Sequence, residues 1–186
     1  MTAPLRVLFV CTANICRSPF MELLSDHLAE GGLEVSSAGT SGFDGRPLDE
    51  GMAAPLLARG IPAERVDGFR SRPLTPDLVA DADLVLTAES THRRQILELQ
   101  PGEVRRVFTL GQFAKAVADA DGATGGATGG ELVRAIGARR PPADPALDVA
   151  DPYRRGAGVA TTCADQVESL LRVAVPALTR SGRISA

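Results

Sequence analysis

The chain has 186 residues, of which 44% are apolar and 23% are charged, a balance that predicts one globular domain over residues 1–186 and excludes a disordered or fibrous chain. Its 20 basic and 23 acidic residues give a formal net charge of −3. With six Phe and one Tyr it also lacks the basic, aromatic-rich surface of a nucleic-acid binder, so no nucleic-acid partner is expected.

Neither a membrane span nor a secretion signal is evident near the N-terminus. The apolar run within residues 5–10 is far shorter than the roughly 18–20 residues of a membrane span. It is also too short for a signal peptide, and the polar Asn14 and Arg17 soon follow it. Three cysteines, an odd and small number, are typical of free thiols in a reducing compartment. We therefore expect a cytoplasmic protein that does not insert into membranes.

Short apolar runs alternate with helical patterns along the chain. Residues 5–10 are typical of a buried parallel strand, and a helix is predicted to follow, with Ser18 as N-cap, Pro19 in its first turn and Gly31 at its end. The same reasoning predicts strands at 33–36, 83–87 and 104–108, and helices at 47–57, 90–99 and 110–119. Such alternation favours βαβ units and a doubly wound α/β fold with a parallel sheet.

The last third of the chain is less regular. Residues 119–130 are rich in Gly, Ala and Thr and predict a flexible surface insertion. Residues 141–158 contain several prolines and predict an irregular segment, after which an apolar stripe indicates a final amphipathic helix.

The turn after the first strand is the first candidate for chemistry. In open α/β sheets, ligands bind beyond the carboxyl ends of the strands, and a loop that leads into a helix N-terminus offers its N–H groups to an anion. Arg17 adds a planar set of donors that matches phosphate oxygens. Cys11 would lie beneath the anion, in surroundings that favour a thiolate. The alternative to an anion site is that Cys11 is a buried structural cysteine and Arg17 a surface arginine. A nucleotide-binding P-loop is excluded, because no Gly-x4-Gly-Lys-Ser/Thr motif occurs.

Thiolate attack on a phosphate ester needs a proton donor for the leaving oxygen. Two Asp-Pro pairs in the irregular segment qualify, one beginning at Asp144 and one at Asp151, and composition does not choose between them. Tyr153 lies close to Asp151 and could form a wall for a planar leaving group. The alternative for either aspartate is a role in a surface turn.

Three motifs together resemble a known family. Residues 10–19 (VCTANICRSP), residues 37–40 (SAGT) and residues 151–153 (DPY) are similar to the motifs of the low-molecular-weight protein tyrosine phosphatases. The resemblance implies a four-stranded parallel sheet flanked by helices on both faces. It also implies a phosphatase that takes a tyrosine-phosphorylated protein or peptide, and other oxyanions, in the loop without a metal or other cofactor.

The resemblance assigns roles to individual residues. Cys11 would form a phosphocysteine intermediate, Arg17 would bind the phosphoryl oxygens, and Asp151 would act as general acid and then as general base. Asn14 would adopt a left-handed conformation supported by Ser18 and Ser37. The remaining substrate-binding positions would be Thr12, Ala13, Asn14, Ile15, Cys16, Ser18 and Tyr153.

Some positions depart from the family pattern. Ala13 and Phe69 stand where the family usually has Gly and a loop-supporting His, so one supporting hydrogen bond is expected to be missing. Arg154 and Arg155 follow Tyr153 where relatives often have an aromatic residue or glycines. These differences bear on substrate preference more than on the reaction type.

Several alternatives stay open. Cys16 matches the family's second loop cysteine, which could pair reversibly with Cys11 or simply pack beneath the loop. The same scaffold also serves arsenate reductases, which here would need an external thiol, because no cysteine lies between Cys16 and Cys163. A non-catalytic phosphate-binding module and a phosphoarginine phosphatase are further options. The bulky Ile15 resembles the tyrosine-directed members and favours phosphotyrosine.

Overall fold

The computed structural model describes residues 3–119 and 126–179. Its four strands are β1 (Leu5–Cys11), β2 (Leu33–Gly39), β3 (Leu84–Thr87) and β4 (Val107–Thr109). They form one sheet in the order β2-β1-β3-β4, and each pair is parallel. Val7 of β1 pairs with Val35 of β2 and Leu84 of β3, so β1 is central. The predicted four-stranded parallel α/β sheet is confirmed.

Helices fill the connections between the strands and the C-terminal part of the chain. They are α1 (Arg17–Ala29), α2 (Glu50–Leu57), α3 (Ala63–Gly68), α4 (Pro76–Asp81), α5 (Ser90–Leu99), α6 (Leu110–Asp119), α7 (Gly129–Arg139) and α8 (Ala157–Thr179). Two 3-10 turns, at Pro101–Arg105 and Pro145–Leu147, precede β4 and α8.

Alternate residues of β1 enter two separate apolar cores. Val7 and Phe9 belong to a large core that also takes residues from α1, α2, α6, α7 and α8. Leu8 and Val10 point to the other face, where Val79 of α4 and Ile96 of α5 belong to a smaller core. A strand buried on both faces has to be apolar throughout, which explains the continuous apolar run at residues 7–10.

Three of the predicted element bounds differ from the structure by three residues each. The strand predicted at 104–108 begins only at Val107, because Pro101–Arg105 forms a 3-10 turn. The helix predicted from residue 47 begins at Glu50, since the carboxylate of Asp49 accepts a bond from the Gly51 amide and caps it. The strand predicted at 33–36 continues to Gly39 through pairing with β1, a contribution that local sequence does not show.

Three helices were not predicted. The α3 and α4 helices have six residues each and follow Pro62 and Thr75, so their periodicity is too short to recognise. The α7 helix begins at Gly129, within the predicted flexible insertion, and it is ordered by apolar residues such as Leu132 and Ile136, which reach the large core. Residues 120–125 of that insertion lie outside the described part of the chain. Within the described residues, no helix is long and apolar enough to cross a membrane.

Candidate active site

The loop of residues 12–16 joins β1 to α1 at the carboxyl end of the sheet. β1 and β2 end together, since Cys11 pairs with Gly39, and the Thr40 amide donates to the Cys11 carbonyl at 2.9 Å. A side chain at Gly39 would overlap the Thr12 carbonyl oxygen. Glycine therefore allows the end of β2 to lie directly against the loop, which fixes the loop from that side.

Asn14 holds the centre of the loop. It is fully buried and has a φ of 55°, the left-handed conformation expected for it. Its Nδ2 donates to Ser18 Oγ at 2.9 Å and to Ser37 Oγ at 2.8 Å, while its Oδ1 accepts from the Arg72 amide at 2.9 Å. The missing supporting bond expected at Phe69 stays a prediction. The Asn14 amide itself has bonds on both its nitrogen and its oxygen, the latter from the Arg72 backbone.

Cys11 and Ser18 are in direct contact beneath the loop. Cys11 is 3% exposed, and its Sγ lies 3.0 Å from Ser18 Oγ. The prediction of Ser18 as N-cap is wrong, because α1 begins at Arg17 with Cys16 at the N-cap position. Ser18 Oγ instead accepts from Asn14, which leaves its proton free to bond with Cys11 Sγ or, at 3.4 Å, with the Ala38 carbonyl. The hydroxyl can thus stabilise a thiolate.

Arg17 is an almost completely buried cation. Its side chain is 2% exposed, and Nη1 donates to the Glu89 carboxylate and, at 3.0 Å, to the Val149 carbonyl. Burial lowers the pKa of Arg17, but the surrounding negative charges, those of Cys11 and Asp151 first, raise it above its ordinary value overall. Its Nε has no hydrogen-bond partner among the described residues. The guanidinium is therefore charged and retains a donor for a ligand.

Two residues that orient the site were missed by the sequence analysis. Burial raises the pKa of Glu89, but the bond and the charge of Arg17 outweigh it, so the pKa is lowered and Glu89 is an anion. His92 lies 2.8 Å from Thr12, through Nε2 and Oγ1, and its Nδ1 accepts from the Glu89 amide. Burial, followed by the Arg17 charge, lowers the pKa of His92. The ring is neutral, and its Nε2 donates to Thr12. The sequence did contain a signal for them, because Glu89 and His92 follow the carboxyl end of β3, where ligands bind in such sheets.

The structure distinguishes the two aspartates that the sequence left open. Asp151 Oδ2 lies 3.5 Å from Arg17 Nη2, and its side chain is 47% exposed. Its Oδ1 accepts from the Tyr153 amide at 3.3 Å. Asp144 instead caps the 3-10 turn at Pro145–Leu147 through a bond from the Ala146 amide. Of the two, Asp151 is placed against Arg17, and Asp144 has the turn-forming role.

The segment before Asp151 is tied to the sheet edge. The Asp148 carboxylate accepts from the Ser90 amide at 2.9 Å and from the Ser90 hydroxyl at 2.8 Å. The Val149 amide donates to the Ala88 carbonyl at 2.9 Å, and the Val149 carbonyl accepts from Arg17. These bonds fix the path of the backbone that leads to Asp151.

A small cleft of about 160 Å³ opens above the loop. It is lined by Cys11, Thr12, Ala13, Ile15, Cys16, Arg17, Phe43, Arg46, Asp151 and Tyr153. Ile15, Phe43 and Tyr153 provide apolar and aromatic walls, and the cysteine lies with Arg17 and Asp151 among the lining residues. The volume is below the ~300 Å³ at which drug-sized sites begin, so the cleft suits a small group.

The other two cysteines are poor thiolates. Burial raises the pKa of Cys16 well above its ordinary value, and the charges of Asp49 and Cys11 add to this effect. Burial also raises the pKa of Cys163 to about 11. Over residues 3–119 and 126–179, no cluster of three or more His, Cys, Asp or Glu side chains is placed to hold a metal ion.

Comparison with known proteins identifies the class as a phosphatase. A low molecular weight protein-tyrosine-phosphatase, Etp of Escherichia coli, is 36% identical over 108 residues, which cover 58% of this chain and 70% of that protein. A protein-arginine-phosphatase of Geobacillus stearothermophilus is 36% identical over 110 residues, which cover 59% of this chain and 72% of that protein. The family model for low molecular weight phosphotyrosine protein phosphatases matches residues 6–123. The chain belongs to this family.

Solved structures extend the similarity to the C-terminal part of the chain. The YwlE arginine phosphatase from Geobacillus stearothermophilus has a TM-score of 0.70 and 29% identity, covering 93% of this chain and 92% of that one. A cysteine-to-serine mutant of YwlE arginine phosphatase, with a phosphorylated active site serine, has a TM-score of 0.71 and 26% identity, covering 96% and 99%. The family model ends before Asp151, so the comparison of that segment depends on structure.

Proposed function

We propose that this phosphatase hydrolyses phosphotyrosine in proteins or peptides through a covalent intermediate on Cys11. The observation that carries the proposal is that Cys11, the buried Arg17 and Asp151 all line one small cleft of about 160 Å³. The 3.5 Å approach of Asp151 to Arg17 adds that a carboxyl lies beside the phosphate-binding group.

In the first step the Cys11 thiolate attacks phosphorus and an S–P bond forms. The bond from phosphorus to the tyrosine oxygen breaks, and the Asp151 carboxyl gives its proton to that oxygen. In the second step, Asp151 as a carboxylate takes a proton from water while the water oxygen attacks phosphorus. The S–P bond breaks, the electron pair returns to sulfur, and inorganic phosphate leaves. The partial exposure of Asp151, 47% of its side chain, gives water the access that this step requires.

Arg17 and Ser18 stabilise the negative charges that develop on the phosphoryl oxygens and on the sulfur in these steps. The Arg17 Nε donor has no partner among the described residues, and surrounding negative charge raises the pKa of Arg17, so it can bind the phosphoryl oxygens throughout. Ser18 Oγ lies 3.0 Å from Cys11 Sγ and donates to the sulfur when it leaves as a thiolate. The phosphorylated active site serine of the related mutant supports a covalent phosphoenzyme in this fold.

The walls of the cleft favour phosphotyrosine over phosphoarginine. The two relatives named for tyrosine and arginine are equally similar at 36% identity, so identity does not decide between them. Ile15, Phe43 and Tyr153 line the cleft and fit an aromatic ring. Asp151 is the one carboxylate among the lining residues and already faces Arg17, while Arg46 adds positive charge. A guanidinium leaving group would therefore find no free anion in the cleft.

The test compares p-nitrophenyl phosphate, a phosphotyrosine peptide and a phosphoarginine peptide without metal and under reducing conditions. We expect turnover of the first two, its loss in Cys11→Ser and in Arg17→Ala, and little turnover of phosphoarginine. Preferred hydrolysis of phosphoarginine would show that the substrate assignment is wrong.

Asp151→Ala and Asp144→Ala form a matched pair for the acid. Removing the acid slows poor leaving groups most, because their oxygens need the proton. We expect this leaving-group dependence in Asp151→Ala and wild-type behaviour in Asp144→Ala. The opposite pattern would transfer the acid role to Asp144.

Arsenate reduction is less well supported. A resolving thiol inside the chain would have to be Cys16 or Cys163, and the raised pKa of each disfavours the nucleophilic thiolate. Loss of all phosphatase activity in folded, reduced protein, together with arsenate turnover in the presence of an added thiol, would favour this alternative.

A further inference from the structure

Two arginine–aromatic pairs flank the mouth of the cleft. The Arg46 guanidinium lies over the ring of Phe43, with its carbon 4.0 Å from the ring centre. The Arg154 guanidinium lies over the ring of Tyr153 at 5.0 Å. Phe43 and Tyr153 both line the cleft. Each of these two aromatic walls therefore has a cation against its ring.

The backbone holds both arginines in place. The Arg46 amide donates to the hydroxyl of the buried Ser71 at 3.0 Å, and its carbonyl accepts from the Ser71 amide at 2.8 Å. Arg154 lies in a turn that is closed by a bond from the Arg155 amide to the Pro152 carbonyl at 3.1 Å. These loops are fixed where they approach the cleft.

The conformation of Arg154 is unusual for its residue type. Its φ is 57°, in the left-handed region where glycine or asparagine is normally found. Its guanidinium carbon lies 5.0 Å from the Tyr153 ring centre, and a planar guanidinium retains N–H donors at its edges for a carboxylate.

Positively charged side chains lie beside the cleft, although the chain as a whole is negative. The formal net charge of the chain is −3. Within the part of the chain that the structure describes, the ion pairs do not include Arg46, Arg154 or Arg155. All three are exposed. The acidic residues nearest in sequence are Asp44 and Asp151, and Asp151 faces Arg17. These exposed arginines therefore have no carboxylate partner among the described residues.

We propose that these arginines select phosphotyrosine sites flanked by aspartate or glutamate. The proposal rests on the phosphotyrosine activity proposed above and adds its sequence context. A phosphotyrosine ring between Phe43 and Tyr153 would place the flanking residues of an extended peptide at the rim, where the arginine guanidiniums can bind carboxylates. Arg46 also lines the cleft, whereas Arg154 and Arg155 are outside it, so the last two are the cleaner positions to test.

The experiment measures kcat/KM for two phosphotyrosine peptides that differ only in having Glu or Gln on both sides of the phosphotyrosine, with p-nitrophenyl phosphate as a substrate without flanks. We expect the wild type to prefer the Glu peptide, and Arg154→Ala and Arg155→Ala each to reduce this preference by about two- to fivefold, the size typical of exposed ion pairs. Turnover of p-nitrophenyl phosphate should not change. The preference should also shrink at high salt.

Arg105→Ala is the matched control, because Arg105 is an exposed arginine in the turn before β4, at the opposite end of the strands. It should leave the Glu/Gln ratio unchanged, while Arg154→Glu should lower the ratio further than Arg154→Ala. A wild-type ratio near one with active enzyme overturns the proposal. So does an equal fall for both peptides and p-nitrophenyl phosphate in Arg154→Ala, which would indicate general attraction of phosphate. Absence of any Cys11-dependent turnover would overturn the proposed function itself.

Discussion

Replacing Asn14 tests how the shape of the phosphate-binding loop is set. Asn14 is fully buried, has a φ of 55° and makes hydrogen bonds to Ser18, Ser37 and the Arg72 amide. Asn14→Gly tolerates the backbone conformation but removes all these bonds, which at about 1 kcal/mol each lowers the free energy of unfolding by about 3 kcal/mol. Asn14→Ala adds the roughly 1–2 kcal/mol cost of a left-handed β-carbon, for a total of about 4–5 kcal/mol.

The assay is urea unfolding followed by circular dichroism, together with turnover of p-nitrophenyl phosphate. A loss of about 3–5 kcal/mol is a large part of the roughly 5–15 kcal/mol that stabilises a typical domain. Both variants should also lose most of their activity at temperatures where they remain folded, because Ser18 and the loop amides are no longer held. Added inorganic phosphate should stabilise the wild type more than either variant, since it binds the ordered loop.

Ser25→Ala provides the control. Ser25 is also fully buried in α1, but its Oγ has no hydrogen-bond partner among the described residues, so its removal should not lower stability. Equal stability of the glycine and alanine variants would refute the argument from the left-handed conformation. Stability of both within about 0.5 kcal/mol of the wild type, the range of ordinary surface substitutions, would show that the hydrogen bonds of Asn14 do not hold the loop.

Three other changes test the surroundings of the loop. Glu89→Ala removes the anion paired with the buried Arg17 and should cost about 1.5–3 kcal/mol in urea unfolding and weaken inhibition by phosphate, whereas Glu89→Gln should keep part of the bond. Burial and the Arg17 charge lower the pKa of His92, so below about pH 6.5 the unfolded state binds a proton that the folded state does not. The wild type should therefore lose stability between pH 7.5 and 5.5, and His92→Gln should lose less. Gly111→Ala would push a β-carbon into the Leu147 carbonyl oxygen and lower the free energy of unfolding by about 1–3 kcal/mol. It should also slow the hydrolysis of substrates with poor leaving groups, because it displaces the segment that leads to Asp151.

Each of these predictions has a result that would contradict it. Gly137→Ala overlaps the Arg105 carbonyl oxygen at the other end of the sheet, so it should destabilise as Gly111→Ala does without changing the leaving-group dependence. The same change in leaving-group dependence for both glycine variants would refute the link to the acid segment. If the free energy of unfolding falls equally with pH in wild type and His92→Gln, His92 is not the source of the pH dependence. If Glu89→Ala has the stability of the wild type and the same inhibition by phosphate, the ion pair with Glu89 is not needed to position Arg17.

Local sequence determined the first strand, the loop and the helix after it. An apolar run buried on both faces, a Cys-x5-Arg spacing and a helical pattern are contiguous, so each is visible without knowledge of distant contacts. The left-handed conformation of Asn14 was implied by the family resemblance, and it agrees with the tolerance of asparagine for that conformation. By contrast, the N-cap position assigned to Ser18 from local sequence was wrong, whereas its expected support of Asn14 is confirmed by the bond from Asn14 Nδ2 to Ser18 Oγ.

Only the tertiary structure decided which distant side chains meet at the loop. Glu89 and His92 follow β3, and they reach Arg17 and Thr12 because β1 and β3 are parallel neighbours that end at the same edge. Asp144 and Asp151 are alike as Asp-Pro dipeptides, and the resemblance favoured Asp151, but only the folded chain shows Asp151 beside Arg17 and Asp144 in a turn. Such contacts depend on strand order and on the path of the chain over the sheet edge, and no short stretch of sequence contains that information.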